Sequence, residues 1–412
     1  MAVLVDELNV TYCEGWNPVS RSTVGLLSEE TAAERDRHGE QYAVLLSTDR
    51  PRLLLEIAWR QGYCGLWLFD AQGRRTERFD YRRLAEGRVF LRETSEWRYD
   101  SAEQAEFDAR AWTVRRRFNP DGSSLEVLAP KGEYGGSTHT WPKVDADQLW
   151  SPVPAFGEWT FADKFDPDIS PSVGLRVTVD PQAPELPVAK PPWRPPTPLR
   201  PSRLESMFQP EARLTVPDMG EVVIEVRSGG TLVMPTGRLT AADPGWLDSG
   251  LQPFTVEARP GEYDVSLAVV RCVDDPEHVR VAGVKLIIQH WLPSSWEPAL
   301  RPGQDPRLLG EGEFYGFSVD TGMGCLLDAS AIEALTVVAE ENYDEICDRV
   351  SQHAAAGFDA GSGVNCVAFL SGWGDGSYPV WIGRDAEGEV VCFVADMLLL
   401  ADDAAVTPEA MG

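Results

Sequence analysis

The chain has 412 residues, of which 43% are hydrophobic and 25% charged, an ordinary globular mixture that excludes a disordered chain. That length is too great for one ordinary core, so two or more domains are expected. The net charge of −28 argues against nucleic acid as a partner, because a polyanion is repelled unless a basic patch compensates.

The opening residues MAVLVDEL carry no basic region followed by an apolar core, so no signal peptide is expected. No apolar run reaches the length of a spanning helix, and no membrane is expected as a partner. Seven cysteines, an odd number without a CxxC pair, sit mostly in apolar runs. Free, buried thiols in a reducing cytoplasm account for them best.

In chain order, Ser28 to His38 reads as a short helix, with a serine cap followed by Glu29, Glu30 and alanines. Arg52 to Arg82 reads as consecutive strands broken by turns, including Asp70-Ala71-Gln72-Gly73. A second short helix is expected at Ser101 to Ala111. Val114 to Leu128 reads as a hairpin with Asn119-Pro120-Asp121-Gly122 at its tip. Arg115, Arg116 and Arg117 lie on that hairpin, and a solvated edge guard is a better reading than a nucleic-acid patch. Eight of the fourteen tryptophans precede residue 160, and half-buried aromatic sheets explain them without a ligand.

Residues 181–201 hold nine prolines in 21 positions. Proline fixes φ and donates no backbone N–H, so this stretch can join neither a helix nor a central strand. It reads as an extended spacer docked at most by Trp193. The expected organisation is an N-terminal Trp- and Arg-rich α+β domain over residues 1–180, a linker over 181–205, and an acidic, mainly β domain over 206–412. Residues 206–412 carry 33 Asp+Glu against 11 Lys+Arg, a balance of −22.

After the linker the runs GEVVIEV, TLVMP, PFTVEA, YDVSLAVVRC and VRVAGVKLIIQ read as successive strands, with turns at Ser228-Gly229-Gly230 and Pro260-Gly261. A sandwich-like antiparallel sheet follows from their spacing. One long helix is predicted over Ala329 to His353. Ile332, Leu335, Ala339, Tyr343, Ile346 and Val350 recur at helical intervals and mark its buried face. Two closing strands run through Tyr378 to Ile382 and from Val390 to Ala395. The fold class is therefore α+β, mainly β, in two domains.

The segments PTGRLTAADP (Pro235 to Pro244), PGEYDVSL (Pro260 to Leu267), FSVDTGMGCLLD (Phe317 to Asp328) and SGWGDGSYPVWIG (Ser371 to Gly383) resemble the hallmarks of an uncharacterised bacterial domain family. The resemblance covers roughly residues 220–398, and the N-terminal half is similar to an extension seen in actinobacterial members. It implies a boundary and a set of suspect residues, and no activity.

Those suspects are mostly carboxylates. Asp328 precedes the long helix, where Asp is a preferred cap. Asp320 ends a strand beside glycines, a setting typical of tight turns and of active sites. Asp375, between Gly374 and Gly376, reads chiefly as a turn residue whose carboxylate accepts nearby backbone N–H groups. Trp373 and Tyr378 could instead offer flat surfaces for a sugar or base. If Asp320 and Asp375 converge they form the carboxylate pair that hydrolytic acid/base chemistry needs. Asp320, Asp328 and Asp375 are also weak candidates for a divalent cation, although no EF-hand spacing is present. Arg238 is expected to pair with a buried carboxylate rather than clamp an anion. A Cys64–His139 nucleophilic pair is disfavoured, because Cys64 lies in an apolar strand. No GxSxG, HExxH, P-loop or Rossmann signature occurs.

The expectation is a cytoplasmic, non-catalytic acidic module that binds a basic protein and needs no cofactor, with an immunity-type inhibitor of a basic toxin or a regulatory interaction protein as its concrete form. The alternative is a hydrolase using Asp320 and Asp375, with Trp373 and Tyr378 as substrate platform.

Overall fold

The computed structural model describes residues 5–129, 137–141, 143–178, 191–217, 219–361 and 363–400, with backbone alone at 129 and 137–141. The fold is mainly β with few helices, and the chain divides into two compact units at Pro195/Pro196.

The N-terminal unit is built on one sheet of twelve strands: β1 (Val5–Asn17), β2 (Ser22–Leu26), β3 (Tyr42–Ser47), β4 (Pro51–Ala58), β5 (Tyr63–Phe69), β6 (Arg75–Ala85), β7 (Arg88–Arg98), β8 (Trp112–Phe118), β9 (Ser124–Ala129), β10 (Ser137–Trp141), β11 (Trp150–Pro152) and β12 (Ile169–Val177). The order is β10-β9-β8-β7-β6-β5-β4-β3-β1-β12, with β2 beside β1 and β11 beside β7. Each pair is antiparallel except β1 with β12. Alternation divides the side chains between two cores. Leu53, Leu55 and Ile57 face one and Leu54, with Trp67 and Phe69, faces the other. Helix α1 (Glu29–His38) starts where the sequence places it, with the Ser28 hydroxyl accepting from the Thr31 N–H.

The expected helix at Ser101 to Ala111 is a series of turns instead. The Arg74 guanidinium takes the Ser101 and Gln104 carbonyls, and the Glu106 carboxylate takes the Arg75 N–H and guanidinium. Phe107 stands at φ 55°. Those long-range bonds hold the segment against the sheet and leave it non-helical. The arginine run is no edge guard either, because β8 is paired on both sides. Arg117 is buried against Glu93, and Arg116 meets Glu126 across the ladder.

The register places Glu56, Gly65, Asp80, Glu93 and Arg117 in one row across β4 to β8. The four charged members are buried. Arg82 pairs with Asp80 at 2.8 Å, and Arg92 and Arg117 each reach Glu93 at 3.1 Å. Burial raises the Glu93 pKa, but Arg92 and Arg117 outweigh it and hold the carboxyl at about 2.

Of the expected linker, residues 181–190 lie outside the described residues. Trp193 is held in the N-terminal unit, donating its indole N–H to the Glu14 carbonyl and accepting from Gln41 through its own carbonyl. From Pro196 the chain belongs to the second unit. Leu199, Leu204 and Met207 are buried in that unit's core, the last two on the short helix α2 (Leu204–Met207).

The C-terminal unit has three layers. Its strands are β13 (Arg213–Val216), β14 (Gly220–Met234), β15 (Leu239–Ala242), β16 (Gly261–Cys272), β17 (Val279–Ile287), β18 (Ser295–Pro298), β19 (Gly316–Val319), β20 (Met323–Asp328), β21 (Ala355–Asp359), β22 (Asn365–Leu370), β23 (Gly376–Arg384) and β24 (Val390–Asp396). One sheet runs β13-β14-β16-β17-β24-β23-β18, with β19 beside β23; the second runs β15-β20-β22-β21. The second sheet is the middle layer. Leu326, Val367 and Phe369 point into the core shared with the first sheet, while Cys325, Leu327, Cys366 and Ala368 point at helix α3 (Ile332–His353). The runs GEVVIEV and TLVMP are one continuous strand, β14, with a bulge between Ser228 and Gly230 where a turn was expected. PFTVEA forms no strand: Phe254, Thr255 and Ala258 donate singly to Leu239, Leu300 and Gly237.

Candidate functional site

The long helix opens on Asp328. Its buried carboxylate accepts from the backbone N–H and hydroxyl of both Thr236 and Ser330. Burial opposes ionisation, but those four hydrogen bonds prevail and hold the carboxyl below its ordinary range. Asp328 is thus a cap on the 3₁₀ turn Ala329–Ala331 that leads into α3.

A second buried carboxylate, Asp243, does the same for the β19–β20 loop. Its Oδ2 accepts the N–H groups of Asp320 and Thr321, and its Oδ1 accepts the Thr321 hydroxyl and the Gly245 N–H. Sequence reasoning passed over this residue. The available signal was Asp243-Pro244-Gly245, an acidic cap with proline at the next position, and a 3₁₀ turn Pro244–Trp246 indeed starts there.

This anchoring brings the Pro244–Leu247 turn, Thr321 and α3 around a cleft of about 310 Å³. Trp246 stands 66% exposed beside it. Thr336, Ala339, Glu340 and Tyr343 line it from α3. The helix breaks at Asn342 (φ −126°, ψ 25°), whose side-chain amide donates to the Val338 carbonyl, immediately before Tyr343. Burial pushes the Tyr343 phenol up, opposed by a hydrogen bond with Thr321. Tyr343, expected as a core residue, is half-buried and shared between core and cleft. The outer side of α3 carries Glu333, Glu340, Glu341, Asp344, Glu345 and Asp348, all exposed, against Arg349 and, at the C-terminal end, His353.

The residues singled out in the sequence lie elsewhere. Asp320 and Asp375 sit one step beyond Val319 and Gly376, the last paired residues of the β19·β23 ladder, so the register sets them opposite each other. Both are exposed, and neither carboxylate has a hydrogen-bond or ion-pair partner among the described residues. Asp375 therefore does not accept the turn's N–H groups, as the sequence suggested. The turn is closed by Ser371 and Tyr378 instead. The Ser371 hydroxyl donates to the Gly374 carbonyl, the Gly374 N–H to the Ser371 carbonyl, and the Tyr378 phenol reaches both carbonyls. The same bonds bury Tyr378, which presents no flat face to solvent. Trp373 is 50% exposed, with the Arg280 guanidinium 5.4 Å from its ring centroid and His278 edge-on at 6.0 Å.

Arg238 is exposed and its guanidinium has no partner among the described residues, so the expected buried ion pair is absent. Only its backbone works, accepting from the Ala329 N–H. Asp320, Asp375 and Arg238 do not line the α3 cleft. Cys64 is buried and its thiol is pushed up to about 12 by desolvation, while only the backbone of His139 is described. Among the described residues no group of three or more His, Cys, Asp or Glu could hold a metal ion. No helix among them is long and apolar enough to cross a membrane.

Residues 232–395 match the profile of a family described as a protein of unknown function (DUF4241). The matched segment contains Asp243, Asp328, each residue lining the α3 cleft, and the Asp320/Asp375 ladder end. No curated protein and no solved structure gives a significant match.

Proposed function

We propose that this is a non-catalytic, cytoplasmic acidic module whose C-terminal unit binds a cationic protein, with an immunity-type inhibitor of a basic toxin as its concrete form. One observation carries this reading: α3 carries six exposed carboxylates, and one of them, Glu340, lines a cleft together with an exposed indole and a phenol. A basic side chain entering that cleft meets aromatic faces and a counter-charge together, an arrangement that favours ammonium and guanidinium groups. The surrounding acid steers a basic partner to it. The test is capture of the partner on the full chain, followed by its Kd against the parent, Trp246→Ala and Glu340→Gln. Weakening by both variants supports the reading. A partner of neutral or acidic character, or one indifferent to both variants, refutes it.

The hydrolase alternative is favoured by a different observation, the two unpartnered carboxylates facing each other at the ladder end. It predicts that Asp375→Asn folds like the parent but loses turnover or divalent-ion affinity. Binding of magnesium or calcium, followed by calorimetry on parent and variant, decides it.

A further inference from the structure

The N-terminal unit holds a cavity of about 320 Å³ that none of the preceding argument uses. Its floor is the β4–β7 face, with Leu55, Cys64, Leu66, Tyr81 and Val89, and its wall is the 151–165 segment, with Phe161 and Phe165. Most of the lining side chains are apolar, which is the composition of a small-molecule pocket rather than of a solvated crevice. At roughly 30 Å³ per water-sized group, the space holds about ten non-hydrogen atoms.

The polar groups in it are few. The Tyr81 phenol has no hydrogen-bond partner among the described residues, and burial raises it, so it stays a neutral donor. The Cys64 thiol is neutral for the same reason. At the rim Lys164 and Glu158 are exposed, and neither has an ion-pair partner among the described residues. Glu158 is the sole obligate acceptor among the lining side chains. Lys164 is the sole obligate donor among the lining side chains, while Tyr81, Cys64, Ser151 and Thr160 can donate or accept. The pocket is thus apolar in body, with adaptable hydroxyl and thiol groups inside and the Lys164 ammonium as the one fixed donor among its side chains.

We infer that this cavity binds a small amphiphile with an apolar chain and a carboxylate head, the chain against Leu55, Leu66, Val89 and Phe161 and the head at Lys164. The chain excludes water from the sheet face, and the head exchanges solvent for the ammonium group.

Octanoate, octanol and octylamine share a chain of the right size and differ in head, so they separate the contributions. Each is titrated calorimetrically into the full chain. Octanoate binds tightest, and Lys164→Gln weakens it about fivefold, to the level of octanol, the range of a partly exposed ion pair. Octanol is unaffected by that variant. Ala155→Trp, at an exposed position on the pocket wall, weakens all three without changing the melting temperature. Octylamine binding tightest, no binding by any of the three at millimolar concentration, or octanoate binding insensitive to Ala155→Trp overturns the inference.

Discussion

Asp396 ends β24 inside the C-terminal core, with its Oδ1 accepting the Leu398 N–H and its Oδ2 the Trp381 indole N–H at 3.3 Å. Two hydrogen bonds do not offset the loss of water, so burial raises its pKa from 3.8 to about 6. The sign follows from linkage. Between those two values the folded chain holds a proton that the unfolded chain has released, so stability is present at low pH and lost as pH rises through 6. A shift of about 2 units at 1.36 kcal/mol each amounts to roughly 3 kcal/mol over the full window. About half of this, near 1.4 kcal/mol, remains to be lost above pH 5, which matters because the chain approaches its isoelectric point of about 4.5 below that. Asp396→Asn removes the titration. The amide leaves one of the two donors short of an acceptor, but that cost is independent of pH. Urea unfolding of parent and variant at pH 5, 6, 7 and 8 therefore isolates the carboxyl. The difference in unfolding free energy should move by about 1.4 kcal/mol in the variant's favour from pH 5 to pH 8. A difference flat with pH would show that the Asp396 carboxyl is ionised in the fold throughout this range, and the desolvation argument would be wrong.

Glu93→Gln should cost about 3 kcal/mol, because it strands the buried Arg92 and Arg117 guanidiniums; thermal unfolding of the N-terminal unit measures it. Asp243→Asn should cost about 2 kcal/mol by turning an amide towards backbone donors, whereas Asp375→Asn should stay within about 0.5 kcal/mol; parallel melting curves compare the two. A fragment of residues 196–412 should fold, and one of residues 206–412 should be weaker by about 3 kcal/mol or more, since it lacks the buried Leu199 and Leu204; circular dichroism against temperature tests both. Binding of a cationic partner should weaken steeply with added salt, since exposed charges are screened beyond about 8 Å at physiological ionic strength; Kd measured at low and high salt checks it.

Local chemistry was readable residue by residue. Ser28 caps α1 because a serine followed by acidic residues can satisfy the first free N–H groups of a helix. Ile332, Leu335, Ala339, Ile346 and Val350 are the buried side of α3 because their spacing admits one face only. Asp328 as a cap, Cys64 as a buried thiol and the mainly β character of the fold belong to the same class. Each depends on neighbours within a few positions, which a sequence displays directly.

The partners of the carboxylates were decided by the tertiary structure. Asp243 is fixed by N–H groups 77 and 78 positions away, and nothing within its own turn announces them. Asp375 looked like a turn residue because glycines flank it, yet Ser371 and Tyr378 satisfied that turn first and left its carboxylate in water. Arg238 had carboxylates to choose from in composition and none within reach in space. Ser101 to Ala111 had helical propensity but lost its carbonyls to Arg74. The α3 cleft exists only where the Pro244 turn, the β19–β20 loop and the broken helix meet, and it is the register of the middle sheet that brings them together. Periodicity and capping act over one turn of chain, whereas a buried carboxylate takes whatever donors the fold delivers to it.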